Sequence, residues 1–408
     1  MKIVIAGAGI GGLTAALAFS QLGHAVTLLE SAAEIDDVGA GIQISPNALK
    51  VLDALGVGEG VRRAAFRPHA LEMRMGRSGR EVFTVSITDA ATTDWGAAYL
   101  HLHRPDLIAA LLEKARSAAA IRIVLGQRVT GFSQSPESIA VRCADGTVID
   151  ADLLVGADGI RSAVREQMLG KQQPNFTGNA AWRLVVPTES LGDYAPPPTA
   201  CVWVGAGRHA VTYRLRGGAL SNFVGVVEQS DWTHESWTDR GTKAQALADF
   251  AGWHPTIETM ITKAREHYRW ALFDREPLPY WSEGRAVLLG DACHPTLPFL
   301  AQGAAMAIED GFILAQEVSA RDEAGLPDAL SAYFDRRIAR VSAVQRGSRA
   351  NMGRFHRKNR LSQLATYGPM HIAGRLMPGA ILHQMNWLYR YDATGATGAT
   401  GTPDATGR

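Results

Sequence analysis

The first 30 residues constrain the fold of this chain more than any other part of its 408 residues. Residues 3–5 are apolar, as in a buried strand, and Gly7, Gly9 and Gly12 follow with the spacing G-x-G-x-x-G. Gly7 permits a tight turn, Gly9 lets the backbone approach a pyrophosphate, and Gly12 lets a helix pack on the strand. A helical pattern, residues 13–22, comes next. The segment therefore predicts a strand, a phosphate-binding turn and a helix.

A second apolar strand, residues 25–29, completes a βαβ unit and ends at Glu30. A carboxylate at this place, about 20 residues after the glycines, can accept a hydrogen bond from a ribose hydroxyl. The free amides at the start of the helix can bind phosphate oxygens. The unit predicts a dinucleotide site, and a glycine-rich turn without a ligand is the alternative.

Length and composition narrow the class of protein. A chain of 408 residues exceeds one ordinary core, so we expect two or more domains. The net charge of +1 gives no reason to expect nucleic acid or an anionic membrane as a partner, and no apolar run reaches the roughly 20 residues that span a bilayer. Cys143, Cys201 and Cys293 lie far apart without a C-x-x-C pair. We therefore expect a cytoplasmic enzyme without disulfides or a metal cluster.

Two later segments repeat the pattern of a buried strand that ends in an acidic turn. Residues 153–155 lead into Gly-Ala-Asp-Gly with Asp158, and residues 285–289 lead into Gly-Asp-Ala with Asp291. Open α/β sheets bind ligands at the carboxyl ends of their strands, so Asp158 is predicted to lie at a ligand site. The loop 298–303 then precedes a predicted helix over 304–318.

Two other regions read as antiparallel sheet. Residues 71–87 alternate like a hairpin, and apolar strands separated by Pro and Gly turns fill residues 181–227. They predict a β-rich unit distinct from the nucleotide-binding unit.

In their order and separations, the three strand-to-turn signals resemble those of the single-component FAD-dependent aromatic hydroxylases. The resemblance covers the chain to about Tyr391 and is strongest to the salicylate hydroxylase, 3-hydroxybenzoate 6-hydroxylase and 6-hydroxynicotinate 3-monooxygenase branch. It implies an α/β fold with a Rossmann-like FAD-binding domain, an inserted β-sheet substrate domain and C-terminal helices. The implied FAD-binding domain is discontinuous (1–70, 97–178 and 268–350), the substrate domain comprises 71–96 and 179–267, and a C-terminal helical segment (351–391) precedes a disordered low-complexity tail (392–408).

The resemblance also implies which residues hold the cofactor. Glu30 matches the ribose contact, Asp158 the motif shared by FAD and the nicotinamide donor, and Asp291 the contact to the ribityl chain. NADH or NADPH is the implied co-substrate, and we expect Arg161 and Arg165 to contact its phosphates because no second G-x-G-x-x-G follows. The full implied FAD set is Gly7, Gly9, Gly11, Gly12, Glu30, Arg104, Asp158, Asp291, Gly303 and Ala304.

In the implied reaction, reduced FAD and O2 give a C4a-hydroperoxide, which an electron-rich ring attacks in a site that excludes water. His209 and Tyr213 are four residues apart, which places them on one face of either a strand or a short helix, and they match the family's His and Tyr at the ring hydroxyl and carboxylate. Gln302 matches the polar residue beside the flavin. These three are the predicted catalytic residues, and the implied substrate pocket comprises Gln43, Asn47, Cys201, Pro295, Phe299 and Leu300.

Departures from the family bear on the substrate. The 6-hydroxynicotinate enzymes carry histidines where this chain has Phe299 and Gln43, which favours a monohydroxybenzoate such as salicylate or 3-hydroxybenzoate over 6-hydroxynicotinate. A flavin reductase that inserts no oxygen and a non-catalytic flavin-binding protein are the rival hypotheses. The expected partners are a small aromatic substrate, O2, NAD(P)H and a second copy in a homodimer. Ring position, decarboxylation and the choice between NADH and NADPH stay open.

Several residues also have a structural interpretation. The run from Arg336 to Arg360 holds nine Lys or Arg and no acid, and we expect it to be a solvated helix face. Cys201 can pack as a small apolar residue, and His294 is expected to be structural. The tryptophans Trp232, Trp237 and Trp253 are expected to fill the core of the β-rich unit.

Overall fold

The computed structural model describes residues 1–35, 40–229 and 240–395. The strands, in chain order, are β1 (Lys2–Ala6), β2 (Ala25–Leu29), β3 (Gly41–Ile44), β4 (Ala70–Met75), β5 (Glu81–Ser86), β6 (Leu100–His103), β7 (Ile121–Val124), β8 (Val129–Gln134), β9 (Ile139–Cys143), β10 (Val148–Ala151), β11 (Leu153–Gly156), β12 (Asn175–Pro187), β13 (Ala200–Gly205), β14 (Arg208–Leu215), β15 (Leu220–Glu228), β16 (Tyr268–Asp274), β17 (Ser282–Glu283) and β18 (Ala286–Leu288).

The α-helices alternate with these strands in the first half of the chain and dominate the last third. They are α1 (Ile10–Gln21), α2 (Pro46–Ala54), α3 (Gly58–Ala64), α4 (Thr88–Thr93), α5 (Arg104–Ser117), α6 (Ala163–Leu169), α7 (Lys243–Asp249), α8 (Pro255–Lys263), α9 (Gly303–Ser319), α10 (Leu326–Phe355), α11 (Arg360–Leu376), α12 (Pro378–His383) and α13 (Asn386–Tyr389). Within the described ranges, no helix has both the length and the apolar character needed to cross a membrane.

A six-stranded sheet in the order β17-β18-β11-β1-β2-β7 forms the centre of the nucleotide-binding unit. Its strands are parallel except for the antiparallel pair β17 and β18. The predicted βαβ unit is confirmed as β1, α1 and β2. The strands β1, β2, β11 and β18 all end at one edge, which brings Gly7, Glu30, the turn at Asp158 and the turn at Asp291 to the same side of the sheet.

A seven-stranded sheet in the order β16-β12-β15-β14-β13-β4-β5 forms the β-rich unit and contains the predicted hairpin. Because side chains alternate along a strand, its two faces differ. One face packs under α7 and α8, with Trp182, Trp203 and Phe250 in its core. The other face carries His209 and Tyr213 and meets the loop 298–300 and the end of α10.

The structure shifts two of the predicted domain limits. β12 begins at Asn175 and β16 runs to Asp274, and both strands belong to the seven-stranded sheet, although residues 175–178 and 268–274 were expected in the FAD-binding domain. The backbone hydrogen bonds between β12 and β16 decide this membership, and they have no local signature in the sequence. The assignment of the two units to cofactor and substrate stays a prediction.

The C-terminal residues also differ from the expectation. Residues 392–395 belong to the folded part: Ala393 is fully buried in the core, and the carboxylate of Asp392 accepts a hydrogen bond from the amide of Thr394 at 2.9 Å. The remaining Ala-Thr-Gly residues, 396–408, lie outside the described ranges, as do Gly39, Trp232 and Trp237. Trp253 is buried in the core of the β-rich unit, as expected.

Candidate active site

In the glycine-rich turn after β1, each glycine has its own physical role. Gly7 has φ +101°, and a Cβ at Gly12 would collide with the carbonyl oxygen of Gly7, so both positions require glycine for the turn and for packing. Gly9 has open space around the place where its Cβ would be, with nothing within 4 Å. Gly11 is buried, and a Cβ there would meet the side chains of Leu289 and Ala307, so this position requires glycine for packing. The turn thus leaves its backbone approachable at Gly9.

Glu30 follows β2, and its carboxylate binds the backbone of the glycine-rich turn. Its Oε2 accepts a hydrogen bond from the amide of Ala8 at 2.8 Å, and its Oε1 accepts one from the amide of Ala32 at 2.9 Å. The carboxylate is half-buried. It therefore holds the glycine turn against the end of β2, at the position predicted for a ribose contact.

Asp158 has one occupied and one orphaned carboxylate oxygen. Its Oδ2 accepts hydrogen bonds from the amides of Ala163 (2.8 Å) and Val164 (3.3 Å), which caps the start of α6. Its Oδ1 is buried, and the described residues supply no hydrogen-bond partner for it. Burial raises the pKa of this carboxyl above its ordinary value, against the hydrogen bonds that lower it. An orphaned oxygen at this edge suits a donor group on a bound nucleotide.

The expected contact of Arg165 to a nicotinamide phosphate is wrong. Its guanidinium is buried and donates to the carbonyl oxygens of Ile160 (2.8 Å) and Ala292 (3.3 Å), so it braces the turns after β11 and β18. Arg161 is exposed and keeps the predicted position beside Asp158.

Asp291 lies in a short 3₁₀ turn that follows β18. Its side chain is accessible while its neighbours Gly290 and Ala292 are buried. Burial of the surrounding region raises the pKa of Asp291, and the positive charge of Arg104 is among the effects that oppose this rise. Arg104 is the first residue of α5, and its charge acts on Asp291 although 187 residues separate the two in sequence.

The loop 298–303 ends in a strained residue before α9. Ala301 has φ +52°, a left-handed conformation that costs a non-glycine residue roughly 1 kcal/mol or more. The half-buried Gly303 and Ala304 then form the first turn of α9, where amides without intrahelical acceptors and the helix dipole favour an electron-rich group. This geometry fits the predicted FAD contacts of Gly303 and Ala304.

Gln302 and Asn47 lie in one buried hydrogen-bond chain between α2 and α9. The amide nitrogen of buried Gln302 donates to Ser45 Oγ at 3.1 Å, and its oxygen accepts from the amide nitrogen of Asn47 at 3.1 Å. Asn47 donates in turn to Glu309 at 2.6 Å and is fully buried. Both side chains therefore position the loop and α9 against α2, and the ring contact of Gln302 and the pocket position of Asn47 stay predictions.

Beneath this loop lies a buried ionic network that joins α9 to α10. Arg337 donates to Glu309 at 2.6 Å and to Asp310 at 2.7 Å, and Arg340 donates to Glu309 at 2.8 Å. Asp310 also accepts from the amide of Gly290 at 3.0 Å and pairs with His294 at 2.5 Å. The network thus fixes the turn that carries Asp291.

This network corrects the expectation of a solvated basic face from Arg336 to Arg360. Arg337 is fully buried and Arg340 is 5% exposed. The acids that pair with them lie in a different helix, so the basic run itself contains no sign of them. His294, next to Cys293, is structural, as expected, since its ring is held by Asp310.

His209 and Tyr213 both lie buried on the face of β14 that meets the loop 298–300. His209 packs on Phe299 and Phe355 with ring centroids 5.1 Å apart in each case. Burial and the neighbouring His356 ring hold the pKa of His209 well below its ordinary value. Burial raises the pKa of Tyr213, whose ring lies 4.7 Å from that of His101. The face thus presents a neutral imidazole and a neutral phenol.

The chain's similarity to known proteins agrees with this geometry. The sequence profile of a family described as an FAD binding domain matches residues 1–348. The 6-hydroxynicotinate 3-monooxygenase of Bordetella bronchiseptica is 38% identical over 356 residues, which are 86% of this chain and 91% of that enzyme. The 3-hydroxybenzoate 6-hydroxylase 1 of Aquipseudomonas alcaligenes is 34% identical over 389 residues, which are 95% of this chain and 97% of that enzyme.

The chain belongs to the FAD-dependent aromatic hydroxylases. Among solved structures, Klebsiella pneumoniae HpxO complexed with FAD and uric acid superposes with a TM-score of 0.84 at 27% identity, over 95% of this chain and 96% of that one. As a member of this family the chain is an FAD-dependent monooxygenase with NADH or NADPH as its co-substrate. The open approach at Gly9, the orphaned oxygen of Asp158 and the accessible Asp291 fit FAD.

Four of the predicted pocket residues of this hydroxylase each contact a different part of the fold. Phe299 contacts His209, and half-buried Gln43 accepts a hydrogen bond from the hydroxyl of Tyr99 at 2.8 Å. Pro295 is buried, with its carbonyl oxygen bound by Gln345 at 3.1 Å. Half-buried Leu300 approaches Gly347 of α10.

Cys201 lies on the face of the sheet opposite to His209 and Tyr213, which does not fit its expected place in a substrate pocket with them. It pairs with Thr212 in the sheet and packs with Trp203 and Phe250 on the face that lies under α7 and α8. Val202, its neighbour, points to the opposite face because side chains alternate along a strand. The structural interpretation of Cys201 as a small apolar core residue is the correct one.

Two residues were not predicted from the sequence, although both lie near His209 and Tyr213, on or against the face of the seven-stranded sheet that carries them, here called the pocket face. Arg183 is half-buried on β12, and its guanidinium lies over the ring of Trp270 at 4.8 Å. A charged residue within the otherwise apolar strand Trp-Arg-Leu-Val-Val was the available signal. His356 ends α10 and contacts His209, but its place in the basic run gave no indication of burial.

Proposed function

We propose that this hydroxylase acts on an aromatic acid with a ring hydroxyl, of the salicylate or 3-hydroxybenzoate type, and consumes NADH or NADPH and O2. The observation that carries the proposal is the neutral, buried pair of His209 and Tyr213 on one face of β14. The names of the two relatives support it, because each describes an enzyme of a hydroxylated aromatic acid. When bound, FAD supplies the redox chemistry that activates O2 with electrons from the nicotinamide.

The residues of this chain would prepare the ring for attack. A phenol has an ordinary pKa near 10, so a base must assist its deprotonation at neutral pH. His209 stays neutral because burial lowers its pKa, and it can accept the phenolic proton. Tyr213 stays protonated because burial raises its pKa, and it can donate a hydrogen bond to the substrate. Half-buried Val202 and Val211 supply apolar walls on the same face.

Arg183 is the cation that we propose for the substrate carboxylate. In the sheet it pairs with Val224, which pairs with Val211, so it projects from the pocket face beside Tyr213. Burial raises the pKa of Tyr213, and the positive charge of Arg183 opposes this rise. A guanidinium binds a carboxylate through paired hydrogen bonds. This placement supports an acidic substrate over a neutral phenol.

A 6-hydroxynicotinate-type substrate, with loss of its carboxyl group, is the second proposal. It is favoured by the 38% identity to the Bordetella bronchiseptica enzyme, whereas Phe299 and Gln43 replace the histidines expected for a pyridine ring. Product mass would separate hydroxylation with loss of the carboxyl group from simple hydroxylation, because the first loses CO2 and gains one oxygen, a net loss of about 28 Da, while the second adds about 16 Da. The panel should contain salicylate, 3-hydroxybenzoate and 6-hydroxynicotinate.

The test of the proposed function is the coupling of NAD(P)H oxidation to product. His209→Ala should leave FAD bound and reducible but slow hydroxylation by roughly 10² to 10⁴ and divert the consumed O2 to hydrogen peroxide. His371→Ala is the matched control, because His371 lies in α11 and contacts the carbonyl oxygen of Val82 at 2.9 Å. If His209→Ala and Tyr213→Phe both keep the coupling of the unmodified enzyme, the ring is activated elsewhere.

Two further expectations belong with this proposal. We propose a cytoplasmic location, and a homodimer formed through α11. Support for the dimer comes from the exposed apolar side chains of Leu361 (80%), Leu364 (68%) and Leu376 (74%) in that helix. Light scattering of the purified protein measures the oligomeric state directly.

A further inference from the structure

A continuous line of hydrogen-bonding groups leads from His209 to the protein surface. His209 Nδ1 lies 2.7 Å from His356 Nε2, and His356 Nδ1 lies 3.3 Å from Glu228 Oε1. The other oxygen of Glu228 pairs with Lys358 Nζ at 3.0 Å. Exposure rises along the line, from 1% for His209 and 4% for His356 to 40% for the side chain of Glu228.

The carboxylate of Glu228 determines the tautomer of each histidine. An ionised carboxylate can only accept hydrogen bonds, so His356 Nδ1 carries the hydrogen that it donates to Glu228. Neutral His356 then accepts at Nε2, and His209 must donate from Nδ1. The lone pair of neutral His209 therefore lies on Nε2, the nitrogen that is not engaged by His356.

The charges around the line keep these protonation states at neutral pH. Desolvation raises the pKa of Glu228, but its pairs with Lys358 and His356 lower it by more. Desolvation lowers the pKa of His356, helped by the charges of Lys358 and Arg208 and opposed by Glu228. Glu228 is thus ionised and His356 is neutral, as the tautomer assignment requires.

We propose that His356 and Glu228 form a proton relay that carries the phenolic proton of the substrate from His209 to solvent. His209 Nε2 would accept the proton from the ring hydroxyl while its Nδ1 hydrogen passes to His356 Nε2. The Nδ1 hydrogen of His356 passes to Glu228, which releases a proton to water. One proton leaves the phenol, one reaches solvent, and no electron is transferred. The inference rests on the proposed function and assigns His356 and Glu228 as positioning and relay residues that do not touch the substrate.

The experiment follows proton release on ligand binding, in the absence of NAD(P)H, so that turnover plays no part. The FAD-loaded protein is mixed with 3-hydroxybenzoate in a stopped-flow instrument, with a pH indicator for the released proton and ultraviolet absorbance for the phenolate. His356→Gln and Glu228→Gln should slow both signals by about tenfold or more, with ligand affinity nearly unchanged. Glu228→Gln guards against misfolding, because its side chain is largely exposed.

The matched control is Glu276→Gln, which removes a surface carboxylate that pairs with Arg349 of α10. It should release the proton at the rate of the unmodified enzyme. If the unmodified enzyme, His356→Gln and Glu228→Gln all release the proton at the same rate, the relay is refuted while the proposed function stands. If the unmodified enzyme forms no phenolate with 3-hydroxybenzoate, salicylate or 6-hydroxynicotinate, the proposed function and the relay both fail.

Discussion

Replacing Arg337 with methionine tests whether the buried network between α9 and α10 holds the active site together. Arg337 is fully buried and donates to Glu309, to Asp310 and, at 3.4 Å, to the carbonyl oxygen of Met306. Methionine keeps much of the side-chain volume but removes the charge and these donors. Glu309 would keep Arg340 and Asn47 as partners, whereas the fully buried Asp310 would lose the donor to its Oδ1.

The expected cost follows from this burial. Removing one partner of a buried ion pair costs about 3 to 5 kcal/mol, because the other charge stays buried and unpaired. That is a large share of a typical unfolding free energy of about 5 to 15 kcal/mol. Asp310 also holds the amide of Gly290, so we expect the turn with Asp291 to loosen and FAD to be lost more readily.

The assay compares Arg337→Met with Arg336→Met, its neighbour in the same helix. Arg336 is 41% exposed and pairs with Glu317 at 2.6 Å, and an exposed pair of this kind contributes about 0 to 1 kcal/mol. Urea unfolding measured by tryptophan fluorescence gives the stability, and flavin fluorescence of the protein-free filtrate gives FAD release. Equal losses of stability in the two variants, or full FAD retention in Arg337→Met, would refute the reasoning.

Two other predictions follow from the glycine turn and from a buried histidine. Gly9 has φ −73° and open space at its Cβ position, so Gly9→Ala should fold normally but bind FAD more weakly, since a methyl group would stand where a pyrophosphate approaches. FAD titration beside thermal unfolding checks this, with the clashing Gly12→Ala as the variant expected not to fold, and unchanged FAD affinity in Gly9→Ala would contradict it. Burial lowers the pKa of His101 from 6.5 to about 3, so the folded protein binds fewer protons than the unfolded chain between these values. The free energy of unfolding therefore falls as the pH drops below 6.5, because only the unfolded chain binds the extra proton. At pH 5 this decrease amounts to about 2 kcal/mol. His101→Phe should therefore lose less stability than the unmodified enzyme between pH 7 and pH 5, and parallel pH profiles from urea unfolding would show that His101 is not the group responsible.

The sequence by itself determined the parts of this protein that depend on local backbone geometry and on periodicity. The spacing of Gly7, Gly9 and Gly12 after an apolar strand leaves few structures besides a βαβ unit, and the structure contains it. Alternation along β14 placed His209 and Tyr213 on one face, because a residue and the fourth after it always share a face of a strand. The strand-to-turn patterns before Asp158 and Asp291 predicted the ends of β11 and β18 for the same local reason.

The tertiary structure alone decided what lies opposite these residues. Cys201 and Val202 are neighbours in sequence, yet the packing of α7 and α8 made one a core residue and left the other on the pocket face. Arg337 and Arg340 are buried because Glu309 and Asp310 of another helix meet them. His356 reaches His209 from 147 residues away. Burial, ion pairing and tautomer depend on which distant groups come into contact, and only the folded chain brings those groups together.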